Sequence, residues 1–131
     1  MNSLELIALK DFPDVEPGNN IVELIVNNLN TNNILIDDFD VIVIAQKVIS
    51  KAENRYIDLD NINISDQANK LALKLKKDKG LVQAIINESN KIISTKKNVI
   101  IVEHKLGFIN INAGIDQSNI PQANNCLLYT S

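Results

Sequence analysis

Apolar residues in the first half of the chain follow two different periods. Leu4–Leu9 predicts a first strand, and the continuous run Val41–Ala45 is typical of a strand buried on both faces. Between them, apolar residues recur at helical spacing over Ile21–Leu29, and Asn19 or Asn20 is suited to cap the predicted helix. The polar cluster "NLNTNN" is predicted to end this helix, and "RYIDL" predicts the next short strand.

The second half continues with helical and strand patterns. Ser65 is a good N-cap for a helix over "DQANKLALKLKKD", and "LVQAIINESNKIIS" predicts a second helix after a break at Gly80. The apolar stripe predicted for the first of these helices is Ala68, Leu71, Ala72 and Leu75. Val99–Val102 predicts another buried strand, and Leu106–Asn112 predicts a strand that leads into "AGIDQSN". The predicted class is therefore mixed α and β.

Length and composition narrow the class of protein. A chain of 131 residues with 45% hydrophobic residues can form one globular domain or part of one. The net charge of −3 and the lack of a Lys/Arg block argue against nucleic-acid binding. A single cysteine, Cys126, excludes a disulfide framework, and no signal peptide or membrane-length apolar run is visible. We therefore expect a soluble cytoplasmic protein without a nucleic-acid or membrane partner.

The first stretch with candidate chemistry is "IAQKVISKAENR", where polar side chains directly follow a predicted strand. Gln46, Lys47, Ser50 and Lys51 would lie at the carboxyl end of that strand, where α/β sheets bind ligands. Lysine suits a phosphate, and Gln and Ser supply hydrogen bonds. The alternative is a solvated turn whose lysines only keep the surface soluble. His104, the single histidine, is predicted to be an ordinary loop residue.

The second stretch is "GFININAGIDQSN". Gly114 permits a positive φ or a close approach of the backbone, and Asp116 offers the hard oxygen ligands that Mg²⁺ requires. Ser118 and Asn119 could bind a base, a sugar or a phosphate. The alternative is an Asx-type turn that satisfies its own backbone. No Walker loop and no G-x-G-x-x-G turn is present.

Three segments together resemble the coenzyme F420:L-glutamate ligase family, the GTP-dependent γ-glutamyl ligases of deazaflavin cofactor synthesis. They are "FPDVEPG", "VIVIAQKVISKAENR" and "GFININAGIDQSN", in that order. The resemblance covers residues 4–125 and only about the first half of a family member. It implies an α+β fold with a mixed sheet and helices, of which residues 1–125 are the N-terminal portion, and a homodimer when complete.

The resemblance also implies a nucleotide site and a metal site. The GTP-contacting positions it implies are Phe12, Pro13, Asp14, Val15, Gln46, Lys47, Lys51 and Asn119. Asp116 matches the family's ligand for Mg²⁺ or Mn²⁺, with K⁺ as a further candidate ion. Asn54 stands where the family usually has Gly, and Asn tolerates a left-handed turn better than most residues.

The implied reaction joins L-glutamate to the coenzyme F420 precursor. GTP would phosphorylate the precursor carboxylate, and the α-amine of glutamate would displace phosphate from the acyl phosphate. No general base is evident in this segment. Two alternatives are a related acid–amine ligase with another acceptor and a non-catalytic nucleotide-binding half-domain.

We expect the rest of a family member to supply further metal ligands, so that this segment alone is inactive. The tail "CLLYTS", residues 126–131, resembles translated sequencing-adapter sequence and is predicted to be non-native. No helix or strand is predicted after "GIDQSNIPQANN".

Overall fold

The computed structural model of the chain describes residues 3–117 and 125–128. The chain divides into two compact units, Met1–Asn54 and Arg55–Ser131. Four α-helices and six strands lie within the described residues, which confirms the α+β class.

The first unit is organised by helix α1, Ile21–Thr31. The Asn20 side chain accepts hydrogen bonds from the backbone N–H groups of Val22 and Glu23, so that it satisfies donors that the first helical turn leaves unpaired. The helix ends as predicted in the asparagine cluster, where Asn33 has a φ of +53°. Its inward face buries Ile25 and Leu29. The predicted helix and its cap are therefore confirmed.

Two strands predicted in the first unit are not formed. Neither Leu4–Leu9 nor Val41–Ala45 belongs to a strand, and Leu4 and Val41 are 86% and 83% exposed. A strand requires a neighbouring strand to pair its backbone groups, and none of the described residues pairs with either segment. The prediction of a strand buried on both faces is therefore wrong. Helix α2, Gln46–Ala52, follows the second segment directly.

The second unit begins with strand β1, Tyr56–Asp58, followed by helix α3, Asp66–Leu75, and helix α4, Lys79–Asn87. The Ser65 hydroxyl accepts the Ala68 N–H at 3.2 Å, which confirms the predicted cap. Gly80 does not break a helix but lies in the first turn of α4. A Cβ at this position would be 2.8 Å from the Leu59 carbonyl oxygen, so the glycine lets α4 approach the chain that follows β1.

The prediction of a helix over "LVQAIINESNKIIS" is correct only for its first half. Residues 89–96 leave the helix and form strand β2, Ser89–Lys96, which pairs with β3, Val99–His104. Ile92 and Ile93 fit both a helical stripe and a strand, and the antiparallel pairing with β3 decides between them. The strand predicted over residues 106–112 shortens to β4, Ile109–Ile111, because residues 104–107 form a turn with Gly107 at a φ of +88°.

The strands of the second unit form two three-stranded sheets. One has the order β2-β3-β4, and the other has the order β1-β6-β5, with β5 at Ile115–Asp116 and β6 at Asn125–Leu128. All four strand pairings are antiparallel, so the sheets of the described residues are not mixed as expected. The prediction that no helix or strand follows "GIDQSNIPQANN" is wrong, because β6 extends to Leu128 and is the central strand of its sheet.

The main core lies in the second unit, where α3 and α4 pack against β3 and the turn after β4. Ile100 and Val102 on alternate positions of β3 are fully buried. The buried residues of this core are Ala68, Ala72, Leu75, Val82, Ile85, Ile100, Val102 and Ala113. The stripe predicted for α3 is thereby confirmed. Among the described residues, no helix has the length and apolar character needed to span a membrane.

Candidate functional site

The loop that carries Phe12, Pro13, Asp14 and Val15 lies in the first unit, between the N-terminal segment and α1. Val15 is buried and Phe12 is half-buried, whereas Pro13 and Asp14 are exposed. The Asn19 side chain closes the next turn by accepting the Glu16 N–H at 2.8 Å. The loop is thus anchored by apolar side chains and presents its polar residue to solvent.

Helix α2 carries the lysines of the second predicted segment. Lys47 and Lys51 are one helical turn apart, so they lie on the same side of α2, and both are half-buried. Gln46 is exposed at the first position of the helix. Ser50, by contrast, is fully buried, and its hydroxyl has no hydrogen-bond partner among the described residues. Ser50 therefore packs inward and does not lie on the side of α2 that carries Lys47 and Lys51.

A backbone hydrogen bond joins these two predicted segments. Gly18 donates its N–H to the carbonyl oxygen of Ala52 at 2.8 Å, which ties the end of the loop to the end of α2. Gly18 has a φ of +85°, a conformation that glycine adopts at low cost. Asn54, two residues beyond α2, has a φ of +54°. Asn54 thus has the left-handed conformation that asparagine tolerates better than most residues.

The "NAGID" stretch lies in the second unit and departs strongly from ordinary backbone geometry. Asn112, Ala113 and Gly114 have successive φ values of +50°, +54° and +67°. The prediction of a positive φ at Gly114 is confirmed, but no residue pattern predicted it for Ala113, because alanine is a poor residue for that region. Ala113 is fully buried in the core, and this packing helps to hold the unusual turn.

The side chain of Asn112 fixes the start of this turn. Its Oδ1 accepts the N–H of Ile100 at 3.0 Å. Because Ile101 pairs with Ile111, Asn112 stands opposite Ile100 at the next position of the β3–β4 ladder. The side-chain amide therefore takes the place of a backbone carbonyl, and the backbone can turn away from the sheet while Ile100 remains hydrogen-bonded.

Asp116 follows the turn in strand β5 and is half-buried. Asp116 pairs with Leu127 of β6, so the backbone that carries its carboxylate belongs to a sheet. Within residues 3–117 and 125–128, no group of three or more His, Cys, Asp or Glu side chains could hold a metal ion. A single carboxylate such as that of Asp116 would be too few ligands for Mg²⁺, which takes about six oxygen ligands. Ser118 and Asn119 lie outside the described residues.

His104 is not the loop residue that we expected. It ends strand β3 and is 2% exposed. Its Nδ1 accepts the Leu106 N–H at 3.0 Å, and its ring stacks on Phe108. Its Nε2 lies 3.6 Å from Glu88 Oε2, and the same carboxylate oxygen lies 3.7 Å from Arg55 Nη2. The cluster connects the end of α4 to the β3–β4 turn. The sequence did not indicate this cluster, because it predicts a helix that continues through Glu88, whereas α4 ends just before it and β2 begins at Ser89.

The described residues define an α+β protein with a loop and a lysine-bearing helix tied together in one unit and a carboxylate on a sheet in the other. A family model described as F420-0:Gamma-glutamyl ligase matches residues 10–129. Because this match covers most of the chain, the protein belongs to that family.

Several similar proteins have the name coenzyme F420:L-glutamate ligase, and three of them illustrate the range of similarity. The protein from Methanothermobacter thermautotrophicus is 40% identical, with 89% of this chain and 46% of the relative covered. The protein from Methanocaldococcus jannaschii is 48% identical over 65% of this chain and 34% of the relative. That from Halorubrum lacusprofundi is 33% identical over 95% of this chain and 50% of the relative. The chain therefore spans about half or less of the length of these relatives.

Proposed function

We propose that this protein acts in the GTP-dependent ligation of L-glutamate to the coenzyme F420 precursor. The observation that carries the proposal is the family match over residues 10–129. The name of the relatives supports glutamate and a coenzyme F420 precursor as substrates. A carboxylate and an amine do not condense unaided when the leaving group is an oxide, so the reaction needs a phosphoryl donor. We take GTP as that donor, as the resemblance to the family implies.

The proposed chemistry has two steps. A carboxylate oxygen of the precursor attacks the γ-phosphorus of GTP, so that GDP leaves and an acyl phosphate forms. The α-amine of glutamate then attacks the acyl carbon, phosphate leaves, and the nitrogen loses a proton to give the amide. Transfer of a phosphoryl group depends mainly on positioning and on stabilisation of charge.

In the first unit, we assign GTP contacts to the loop and to α2. The exposed Asp14 and the half-buried Phe12 present a polar and an apolar surface beside each other in one anchored loop. Lys47 and Lys51 add two positive charges on one side of α2. An ammonium group on this side would neutralise phosphate oxygens, which is the role that we propose for Lys51.

In the second unit, we assign metal binding to Asp116 and a GTP contact to Asn119. A carboxylate is the ligand type that Mg²⁺ and Mn²⁺ accept, and the remaining ligands would be phosphate oxygens, water or residues beyond this chain. When bound, such a cation supplies positive charge that stabilises the transferring phosphoryl group. The backbone pairing of Asp116 would keep its carboxylate in a fixed direction.

The test uses a chimaera of residues 1–129 followed by the part of the Methanothermobacter relative that this chain does not match. The assay follows GDP release and the mass of the product with GTP, glutamate and the precursor. We expect GTP-dependent addition of a glutamyl residue. Asp116→Asn should lower kcat at least about 100-fold, as does loss of other charge-stabilising groups. It should leave the protein folded, because the β5–β6 pairing uses backbone atoms.

Lys51→Ala should raise the KM for GTP about tenfold, whereas Lys70→Ala removes an exposed lysine from α3 and should leave KM unchanged. Binding of Mn²⁺, followed by electron paramagnetic resonance, gives a second readout for Asp116→Asn. Near-normal activity and Mn²⁺ binding in that variant would remove Asp116 from the metal site. A product of another mass would favour the related acid–amine ligase, and GTP binding without any product would favour the non-catalytic half-domain.

A further inference from the structure

The first unit contains a large open groove that, apart from Phe12, the proposed function does not use. Its cavity volume is about 760 Å³. It is lined by Leu4–Leu9, by residues 34–37 and 39–45, by Phe12 and Val48, and by the apolar side of α1, where Ile21, Ile25 and Leu29 face it. We call this surface the apolar groove.

Many large apolar side chains around the apolar groove are in contact with water. Six of them are more than 80% exposed, namely Leu4, Leu6, Leu35, Phe39, Val41 and Val43. Single exposed apolar residues are common on protein surfaces, but a contiguous set of this size marks an interaction surface. The second unit has a similarly exposed leucine, Leu73 at 82%, on helix α3 outside the apolar groove.

The backbone around the apolar groove is also unpaired. Within the described part of the chain, Leu4–Leu9 and Val41–Ile44 form no backbone hydrogen bonds. Val41–Ile44 consists entirely of β-branched residues, and Leu4–Leu9 is apolar except for Glu5. Strand backbones require a ladder partner when they are buried. An occupant of the apolar groove must therefore supply strand edges together with apolar side chains. This is the mode of recognition called β-augmentation.

Two occupants have these properties, namely a second copy of this chain and further polypeptide of the family. A symmetric dimer through this surface would place one groove against another, and two concave surfaces do not fill each other. The relatives offer the other source, because this chain covers 46% of the Methanothermobacter protein and 50% of the Halorubrum protein. Their unmatched length is ample to supply several strands.

We propose that the apolar groove is an interface for the part of the family's length that this chain does not match, whose strands pair with Leu4–Leu9 and Val41–Ile44. The proposal depends on the surface of the first unit and on the length of the relatives, and it requires neither GTP nor ligase activity. The homodimer expected for a complete family member would then use another surface.

The experiment co-expresses the 131-residue chain with the unmatched part of the Methanothermobacter protein as a separate, tagged polypeptide. We expect the two polypeptides to purify together. Hydrogen exchange of the amides in 4–9 and 41–44 should slow at least about 100-fold relative to the chain alone, as expected for backbone groups in a buried ladder.

Leu6→Asp should weaken the complex at least about tenfold, because it places a charge in the buried interface. Leu73→Asp is the matched control, since Leu73 has the same side chain and nearly the same exposure, at 82% against 87%. It should change the affinity less than about twofold.

Three results would overturn the proposal. The tagged polypeptide could purify without the chain, the amides of 4–9 and 41–44 could exchange rapidly in the purified complex, or the chain alone could form a dimer that protects them and that Leu6→Asp dissociates. The exchange measurement uses only unsubstituted chains, so it decides the question even if Leu6→Asp perturbs folding. A complex without ligase activity would support this interface and count against the proposed function.

Discussion

Substitution of Asn112 tests how the strained "NAG" turn is held. In Asn112→Ala, the fully buried Ile100 loses the acceptor of its N–H at 3.0 Å. Leaving a buried donor unsatisfied costs about 1–3 kcal/mol. Alanine also replaces asparagine at a φ of +50°, which adds about 1 kcal/mol. We therefore expect the free energy of unfolding to fall by about 2–4 kcal/mol.

Asn98→Ala is the matched control for this prediction. Asn98 is exposed in the turn between β2 and β3 with a φ of +63°, and it has no side-chain hydrogen bond among the described residues. The same substitution there should cost only the backbone contribution of about 1 kcal/mol. Asn112→Asp keeps an oxygen acceptor and should recover most of the stability at neutral pH.

The assay is urea unfolding followed by circular dichroism, together with hydrogen exchange of the Ile100 amide. The difference between Asn112→Ala and Asn98→Ala isolates the hydrogen bond, and it should be about 1–3 kcal/mol. Equal losses in the two variants, with unchanged exchange at Ile100, would refute the view that the Asn112 side chain holds the turn.

Two further predictions concern the second unit. Gly80→Ala should lower the free energy of unfolding by about 1–3 kcal/mol, measured by urea denaturation. The added Cβ would lie 2.8 Å from the Leu59 carbonyl oxygen, and this contact outweighs the gain of about 1 kcal/mol in helix propensity. A variant more stable than the unsubstituted protein would contradict this prediction. Hydrogen bonds from the Asn61 side chain and the Asp60 N–H lower the pKa of Asp58. Asn61→Ala should therefore raise the pKa of Asp58 in an NMR titration. Asn63→Ala is the control and should leave the pKa of Asp58 unchanged. Because the folded pKa is lowered, the stabilisation that Asn61 gives is present above the ordinary pKa of about 4 and should vanish as the pH falls through the folded value.

Local signals in the sequence predicted helices α1 and α3 well. Asn20 and Ser65 cap the helices that they were expected to cap, and the buried positions of α3 follow the predicted stripe. These elements depend on residues close in sequence, so the pattern contains the necessary information. The strand at residues 89–96 was missed because its pairing with β3 decides its structure.

The candidate site was predicted less completely. The sequence indicated the left-handed backbone at Asn54 and Gly114, because these residue types favour it. It gave no indication that Ala113 has a φ of +54°, since that conformation is stabilised by burial in the core and by Asn112. The strands expected at Leu4–Leu9 and Val41–Ala45 could not form because a strand needs a distant partner as well as the right composition.

Because β6 is the central strand of its sheet, the second unit must fold in a definite order as the chain is synthesised. Strands β2, β3 and β4 are joined by short turns, so their sheet can form as soon as residue 111 has left the ribosome. Strands β1 and β5 touch only β6 within their sheet, and β6 is synthesised after both. The backbone that carries Asp116 therefore stays unpaired until residue 128 has emerged, and the carboxylate is among the last groups of the unit to reach its final place.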